Sequence, residues 1–453
     1  MVHELFADDL RLATSSGFER VVIPATRLDH PVVEPENGRP WEANGTYLYG
    51  TVLPDEDGGG YRMWYNQNGM LYATSEDGIH WHKPALGRYV IDGQDTNYVF
   101  RRSPFTLNSV LYEPDDPDPS RAYKCLFSTG QRNFGVAFSP DGFSWSEPDG
   151  NPRLAFGSEV GNVVRDPLTG EYLGYLRRQL PRLEVDGLEG RRRVGLSTST
   201  DFLAWSPLQA MINPDQIDDA WATEDWHRGE FYGMAGAPYG SQYIGLLPVF
   251  RVTDIYRPPA PGQSPYEGPI HCEFISSRDG RTWQRCSDRS PVIPNGPAGS
   301  YDAGAIMNVA NTPVLVGDEI WWYYTAINTT HGGTRPPKNI TIGRAAWRRD
   351  RMVGLRCGAG NATLETTDIV LGENSGPARL FVNADVTGGA LRVELCQPNG
   401  RPLPGYVGAR LRGDSLRHEV VWPNGERRLP DDVPFRIRFR GARATLFSYV
   451  VEA

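Results

Sequence analysis

The chain has 453 residues, with 55 acidic against 46 basic side chains, a net charge of −9, 50 glycines, 37 prolines and 12 tryptophans. The acidic balance and the scattered arginines argue against a nucleic-acid partner, and no apolar run reaches membrane-spanning length. No long stretch keeps a helical period, so strands and turns should dominate.

The five cysteines, Cys125, Cys272, Cys286, Cys357 and Cys396, are widely spaced with no CxxC pair. Neither a zinc site nor a disulfide framework is expected, and the thiols read as reduced and mostly buried. The N-terminus MVHELFADDLRLATSS lacks the basic and apolar regions of a secretory signal, which gives the expectation of a cytoplasmic protein.

Residues 1–38 read as an N-terminal segment that braces the repeated units after it, with a short strand over 20–25 (RVVIPA). The first repeated unit begins at about Trp41: TYLYGTVL, a turn DEDGGG, YRMWYN, MLYATS, and then SEDGIHW at 75–81. That last phrase returns as SPDGFSW at 139–145, STDFLAW at 199–205 and SRDGRTW at 277–283, with a looser fifth copy, GRAAWRRDRM, at 343–352. In SxDGxxW the Asp accepts backbone N–H groups at a corner, the Gly takes a positive φ, and the Trp packs the loop onto the sheet. Successive tryptophans are roughly 60 to 80 residues apart, enough for four strands and elaborated loops. Five copies predict an all-β fold with a five-bladed β-propeller over 39–356.

The later units repeat the scheme: NSVLYEP, AYKCLFS and GVAFSPDG; NVVRDPLTG, EYLGYLRR and RVGLSTST; TEDWHRG and EFYGMAGAPY; AIMNVA, VGDE and IWWYYTAIN. Asp55, Asp166, Asp225 and Asp318 then fall where the innermost strand turns into the second, and read as hairpin corners. From about 357 the turn motif is lost and strict alternation takes over, as in LRVEL and FRIRF, which predicts a C-terminal β-sandwich over 357–453.

A second set of acids sits just before each innermost strand: Glu42, Asp95, Glu159, Asp218 with Asp219, and Asp302. Innermost strands of a propeller line the channel in parallel, so these residues are expected to converge at one mouth. There their mutual repulsion would separate their pKa values into an acid and a base. Loops between second and third strands should reach the same mouth with sugar-binding side chains, among them Asn66, Asn68, Arg177, Arg178, Tyr239, Asn328 and His331. Trp41, Asp95, Asn97 and Asn162 complete the expected substrate contacts. No metal and no cofactor is expected.

The repeated SxDGxxW ending, the PWE segment, DPLTGEYLGYLRR and the C-terminal sandwich resemble the five-bladed propeller glycosidases of glycoside hydrolase families 32, 43 and 130, closest to uncharacterised bacterial family-32-like proteins. In invertases and levanases the first blade carries WMNDPNG with a nucleophilic Asp. Here Trp41, Asn44 and Gly45 echo it, the Asp is missing, and Glu42 is the nearest acid. Arg165, Asp166 and Pro167 spell the RDP triplet of those enzymes but fall on a first turn.

The resemblance implies that Glu42 and Glu159 carry the chemistry, with Asp218, Asp302 and Asp95 tuning pKa values or binding hydroxyls. It implies a glycoside hydrolase or transglycosylase and favours a furanoside, fructosyl or arabinosyl. The alternatives are a phosphorylase using Arg177, Arg178 and His331 for phosphate, and a non-catalytic carbohydrate-binding or scaffold propeller. The partner expected is a short oligosaccharide or small glycoside. The Pro-rich blade-four insertion over 249–271 would wall the mouth against long chains. It serves equally well as a subunit interface, which leaves room for a homo-oligomer.

Overall fold

The computed structural model describes the chain except residues 1, 56–57, 131–132, 156–157, 180–189, 372–375 and 432. Among the described residues the regular structure is strand, with single 3-10 turns at Pro40–Glu42 and Pro119–Arg121. The strands from Thr26 to Arg348, apart from two short two-stranded ribbons, group into five antiparallel blades.

The first blade holds Tyr47–Pro54, Tyr61–Asn66, Met70–Ser75 and Tyr98–Phe100 from centre to rim. The second holds Thr106–Tyr112, Tyr123–Gly130 and Asn133–Ser139, extended by bridges from Phe138 to Ser146 and from Phe134 to Leu154. The third holds Gly161–Arg165, Tyr172–Gln179, Arg192–Ser199 and Gln209–Ile212. In the fourth, Arg228–Phe231 and Ala235–Tyr239 both pair with Gln242–Val252, which pairs with Ile270–Ser277. Its inner strand is therefore in two pieces and turns at Gly240–Ser241, so Asp225 lies in the preceding loop and not at the corner expected for it.

The fifth blade holds Ala305–Val309, Glu319–Ile327 and Ile340–Arg348, and its outer strand comes from the N-terminal segment, where Thr26–Arg27 pairs with Ala345 and Ala346. Innermost strands touch from blade one through blade four and again from the fifth to the first, while the fifth meets the fourth through Gln242–Val252 and Ile270–Ser277. The ring is a closed five-bladed propeller whose two chain ends meet in one blade.

The repeated motif holds neighbouring blades together. Ser75, Ser139 and Ser277 accept the N–H of Gly78, Gly142 and Gly280 at 2.8–2.9 Å, and each Asp accepts two further N–H groups. The bare glycine faces then lie against aromatics of the preceding blade. Tyr323 donates to the Gly78 carbonyl, Trp64 to Gly142 and Tyr175 to Gly280, at 2.8–2.9 Å. A Cβ on Gly78 would come within 2.6 Å of Trp321 and Tyr323, and one on Gly142 within 2.9 Å of Trp64.

The third copy replaces the glycine by Phe202, at φ 65°. Its partner blade compensates, because Leu126 stands at the register position of Trp64 and Tyr175, three residues after the Tyr that pairs with the motif serine. Phe202 and Leu126 share one buried cluster with Phe138 and Tyr172.

The N-terminal segment does more than brace the propeller. Val2–Leu5, Leu12–Ser16 and Phe18–Val22 pair with Ala444–Glu452, Ala362–Thr366 and Val353–Cys357, inside the C-terminal sheet. The first half of Arg379–Cys396 pairs with Ala444–Glu452 and the second half with Arg436–Ala442, so this nine-stranded sheet folds over a single core that includes Leu380, Phe435, Phe439 and Leu446.

Asp350, from the loose fifth copy of the motif, joins the two units: it takes hydrogen bonds from Tyr239 of blade four at 2.5 Å and Ser448 of the C-terminal sheet at 2.6 Å, and lies 2.9 Å from His3. Burial works to raise its carboxyl, but His3 and the two hydroxyls hold it below the usual value. All five cysteines are buried and unpaired. No helix among the described residues is long and apolar enough to cross a membrane.

Candidate functional site

Two adjoining cavities of about 290 and 420 Å³ open at the mouth and share Tyr47, Tyr49 and Glu159. Four of the loops between second and third strands contribute to this region. Blade one brings Asn66, Gln67 and Asn68; blade three brings Arg192 to the lining, and Arg177 reaches Glu159; blade four brings the insertion with Gly262, Ser264, Pro265 and Tyr266; blade five brings His331, Arg335 and Lys338. Tyr232, at the break in the blade-four inner strand, completes the wall.

Among the described residues Glu159 is the carboxylate lining these cavities, its side chain half exposed. Ser158 donates to its Oε2 at 2.6 Å, and Arg177 forms an ion pair with Oε1. Arg177 is itself buried, held by Ser158 at 2.7 and 3.0 Å and stacked 4.6 Å above the Tyr232 ring. Burial works to raise the Glu159 carboxyl, but Arg177 and Ser158 outweigh it and hold it at about 2. At neutral pH Glu159 is an anion, able to accept a proton, attack carbon or stabilise positive charge, and not to donate a proton.

His331 is buried against Tyr232 and Phe250. Burial lowers its pKa to about 3, with Arg192, Lys338 and Arg177 adding repulsion, so the ring is neutral. Its Nδ1 faces the Tyr266 carbonyl at 2.9 Å and must carry the proton, which leaves Nε2 to accept from the Tyr232 hydroxyl at 3.3 Å.

The expected ring of acids does not assemble. Glu42 is fully buried; its Oε2 takes Lys83 at 2.8 Å and the Glu36 N–H at 3.1 Å, and its Oε1 takes the Tyr65 hydroxyl at 3.0 Å. Asn97 donates to that hydroxyl and to the Tyr72 carbonyl, both at 2.8 Å, and Trp41 lies beneath Arg39. These three predicted residues are thus engaged with Lys83 and Arg39, and none of them lines the mouth cavities.

Asp218 makes a two-pronged pair with Arg285 at 2.7 and 2.8 Å; burial works to raise it and Arg285 holds it low. Asp302 receives Arg27 at 2.6 Å, tying the closing strand to blade five. Asp95 is exposed and accepts from the Gly87 and Thr96 N–H groups in a loop. In each case a nearby cation or loop amide takes the carboxylate before it reaches the channel.

Among the predicted substrate contacts, His331 lines the cavity and Arg177 reaches it through Glu159. Arg178, one residue on, points to the opposite face of the strand. Asn162 is buried deeper in the channel, donating to the Met234 carbonyl at 2.7 Å, and Tyr239 is engaged with Asp350. Asp166 is a corner: it accepts from Leu168 N and the Thr169 and Tyr243 hydroxyls at 2.8–3.0 Å. Tyr47, Tyr49, Tyr232, Tyr266, Arg192, Arg335 and Lys338 were not anticipated. Their signal was position in the second-to-third loops and at strand starts, which a search for acids passes over.

No protein-family model matches the chain, and no curated protein matches it. Among solved structures, the chain is similar to an N-acetylgalactosamine deacetylase from F. plautii in complex with blood group B trisaccharide (13% identity, 74% of this chain and 97% of that one, TM-score 0.46). It is similar also to a family 43 arabinoxylan arabinofuranohydrolase from Bacillus subtilis in complex with cellotetraose (10%, 94% and 99%, 0.42), and to an α-L-arabinofuranosidase from Podospora anserina in complex with cellotriose (12%, 72% and 96%, 0.43).

Proposed function

We propose that this protein cleaves the glycosidic bond of a short oligosaccharide or small glycoside at the propeller mouth, with Glu159 as its reacting carboxylate. The observation that carries this reading is an ionised carboxylate, fixed by Arg177 and Ser158, facing an open cavity walled by four tyrosines. Tyrosine faces suit the C–H faces of a sugar ring, and the amides of Asn44, Asn66, Gln67 and Asn68 suit its hydroxyls. The cavity volumes accommodate one or two sugar units, as expected for a small ligand.

As the glycosidic bond lengthens, positive charge builds on the anomeric carbon and ring oxygen. Glu159 stabilises that charge, and either takes the proton of an attacking water or bonds to the carbon until water displaces it, while the departing sugar oxygen takes its proton from solvent. Because Glu159 is an anion, an aryl glycoside, whose leaving group needs no proton, isolates its step. A screen of aryl furanosides and pyranosides should find turnover that Glu159→Gln lowers by about 100-fold or more with the fold intact. A folded Glu159→Gln protein working at the unaltered rate would end the proposal.

A further inference from the structure

Although the chain has a net charge of −9, the described residues that line the mouth include Arg192, Arg335 and Lys338 against the single carboxylate Glu159. Glu230, buried in the inner strand of blade four, is shared by two guanidinium groups, Arg192 and Arg228, so one positive charge there has no partner of its own. Arg192 is framed by Tyr266, Phe250 and Tyr232 at 4.6, 5.5 and 5.8 Å and lines the same cavity as Glu159.

Lys338, on that cavity too, donates to the His331 carbonyl at 2.6 Å. Arg335 lines the adjoining one and donates to the Asn44 carbonyl at 2.6 Å, with the Tyr47 hydroxyl at 3.5 Å. Among the described residues, neither has a carboxylate within ion-pair distance. Glu267 acts on Lys338 only at longer range, its oxygens being taken by Gly268 N–H and the Tyr256 hydroxyl. Burial and the Arg335 charge bring the Lys338 pKa down to about 8.

Half-buried cations that repel one another without an intervening anion are costly to hold, and a bound anion relieves that cost. Hydrolysis of a neutral glycoside gives no use for them. His331, an imidazole and so never an anion, cannot serve as the counter-charge, and its acceptor nitrogen is occupied by Tyr232. Glu159, Arg192 and Lys338 line one cavity of about 290 Å³, so a single small ligand there can meet the carboxylate and the cations together.

We propose that the wall formed by Arg192 and Lys338, flanked by Arg335, receives a carboxylate carried by the sugar, so that the ligand class is uronic acids and their glycosides. The inference rests on the glycoside-cleavage reading for its catalytic consequence, but the binding claim stands separately.

The test is calorimetric titration of the intact protein with glucuronate, galacturonate, their neutral counterparts glucose and galactose, and inorganic phosphate, at low and high salt. One uronate should bind at least about tenfold more tightly than its neutral counterpart, the increment of one charge-assisted hydrogen bond. Lys338→Gln and Arg335→Gln, both at half-buried positions whose loss strands no carboxylate among the described residues, should reduce that preference, and salt should weaken it. Glu159→Gln should keep it. Uronate binding without turnover of any aryl uronide would overturn the cleavage reading and leave this one standing. Equal binding of neutral and acidic sugars, absence of sugar binding, or Lys338-dependent binding of phosphate but not of uronate would each overturn it, the last assigning the wall to free phosphate.

Discussion

The exchange between Phe202 and Leu126 can be tested as a pair. Phe202 is fully buried, with its ring 4.9 Å from Tyr172, 5.5 Å from Trp205 and 6.0 Å from Phe138. Removing such a side chain costs about 3–5 kcal/mol. Phe202→Gly also relieves a left-handed backbone worth about 1–2 kcal/mol, which the greater entropy of an unfolded glycine, about 0.5–1 kcal/mol, partly cancels. A net loss of about 2–4 kcal/mol is expected. Leu126→Trp alone overfills a closed cluster and should cost about 1–3 kcal/mol.

Together the two substitutions rebuild the arrangement that Trp64 and Gly142 already show, an indole lying on a bare glycine and donating to its carbonyl. The double variant should therefore recover at least about 2 kcal/mol relative to the sum of the single ones. Urea unfolding followed by far-ultraviolet circular dichroism reads this without interference from the added tryptophan. Costs that add to within about 0.5 kcal/mol would refute the claim that the two positions exchange volume.

Glu42→Gln should destabilise the protein by about 2–3 kcal/mol, because Lys83 loses its fully buried partner and keeps only the half-exposed Glu36 at 3.1 Å; the folded fraction should keep its turnover per molecule, and a selective loss of activity would return Glu42 to the site. His331 is neutral in the folded protein with a pKa of about 3, against about 6.5 for an unfolded histidine. The unfolded chain then binds the extra proton, so stability is full above about 6.5 and declines as pH falls toward 3. Chemical-denaturation midpoints between pH 7 and 4 should fall less steeply in His331→Gln, and parallel curves would contradict the neutral assignment.

How legible each feature is in the sequence depends on how locally it is determined. The SxDGxxW corner needs only its own seven residues: Ser, Asp and Gly satisfy one another within the turn, so the repeat could be read and the blades counted. The ring closure could not be read, because Thr26–Arg27 pair with Ala345 and Ala346, more than three hundred residues away. The break in blade four was hidden likewise, since nothing in EFYGMAGAPY announces that its two halves share one partner strand.

The site failed in the sequence for a reason of charge pairing. An acid before a strand is legible; whether it faces the channel depends on which cation reaches it first. Lys83 reaches Glu42, Arg285 reaches Asp218 and Arg27 reaches Asp302, each from a segment distant in the chain. Glu159 is also claimed, by Arg177, yet that arginine lies on its own blade and is fully engaged beneath it, which leaves the carboxylate held from below and open from above. The same rule, applied to the other sign, singles out the mouth. Arg335 and Lys338 are cations that no carboxylate reaches among the described residues, and they stand where a ligand anion can claim them.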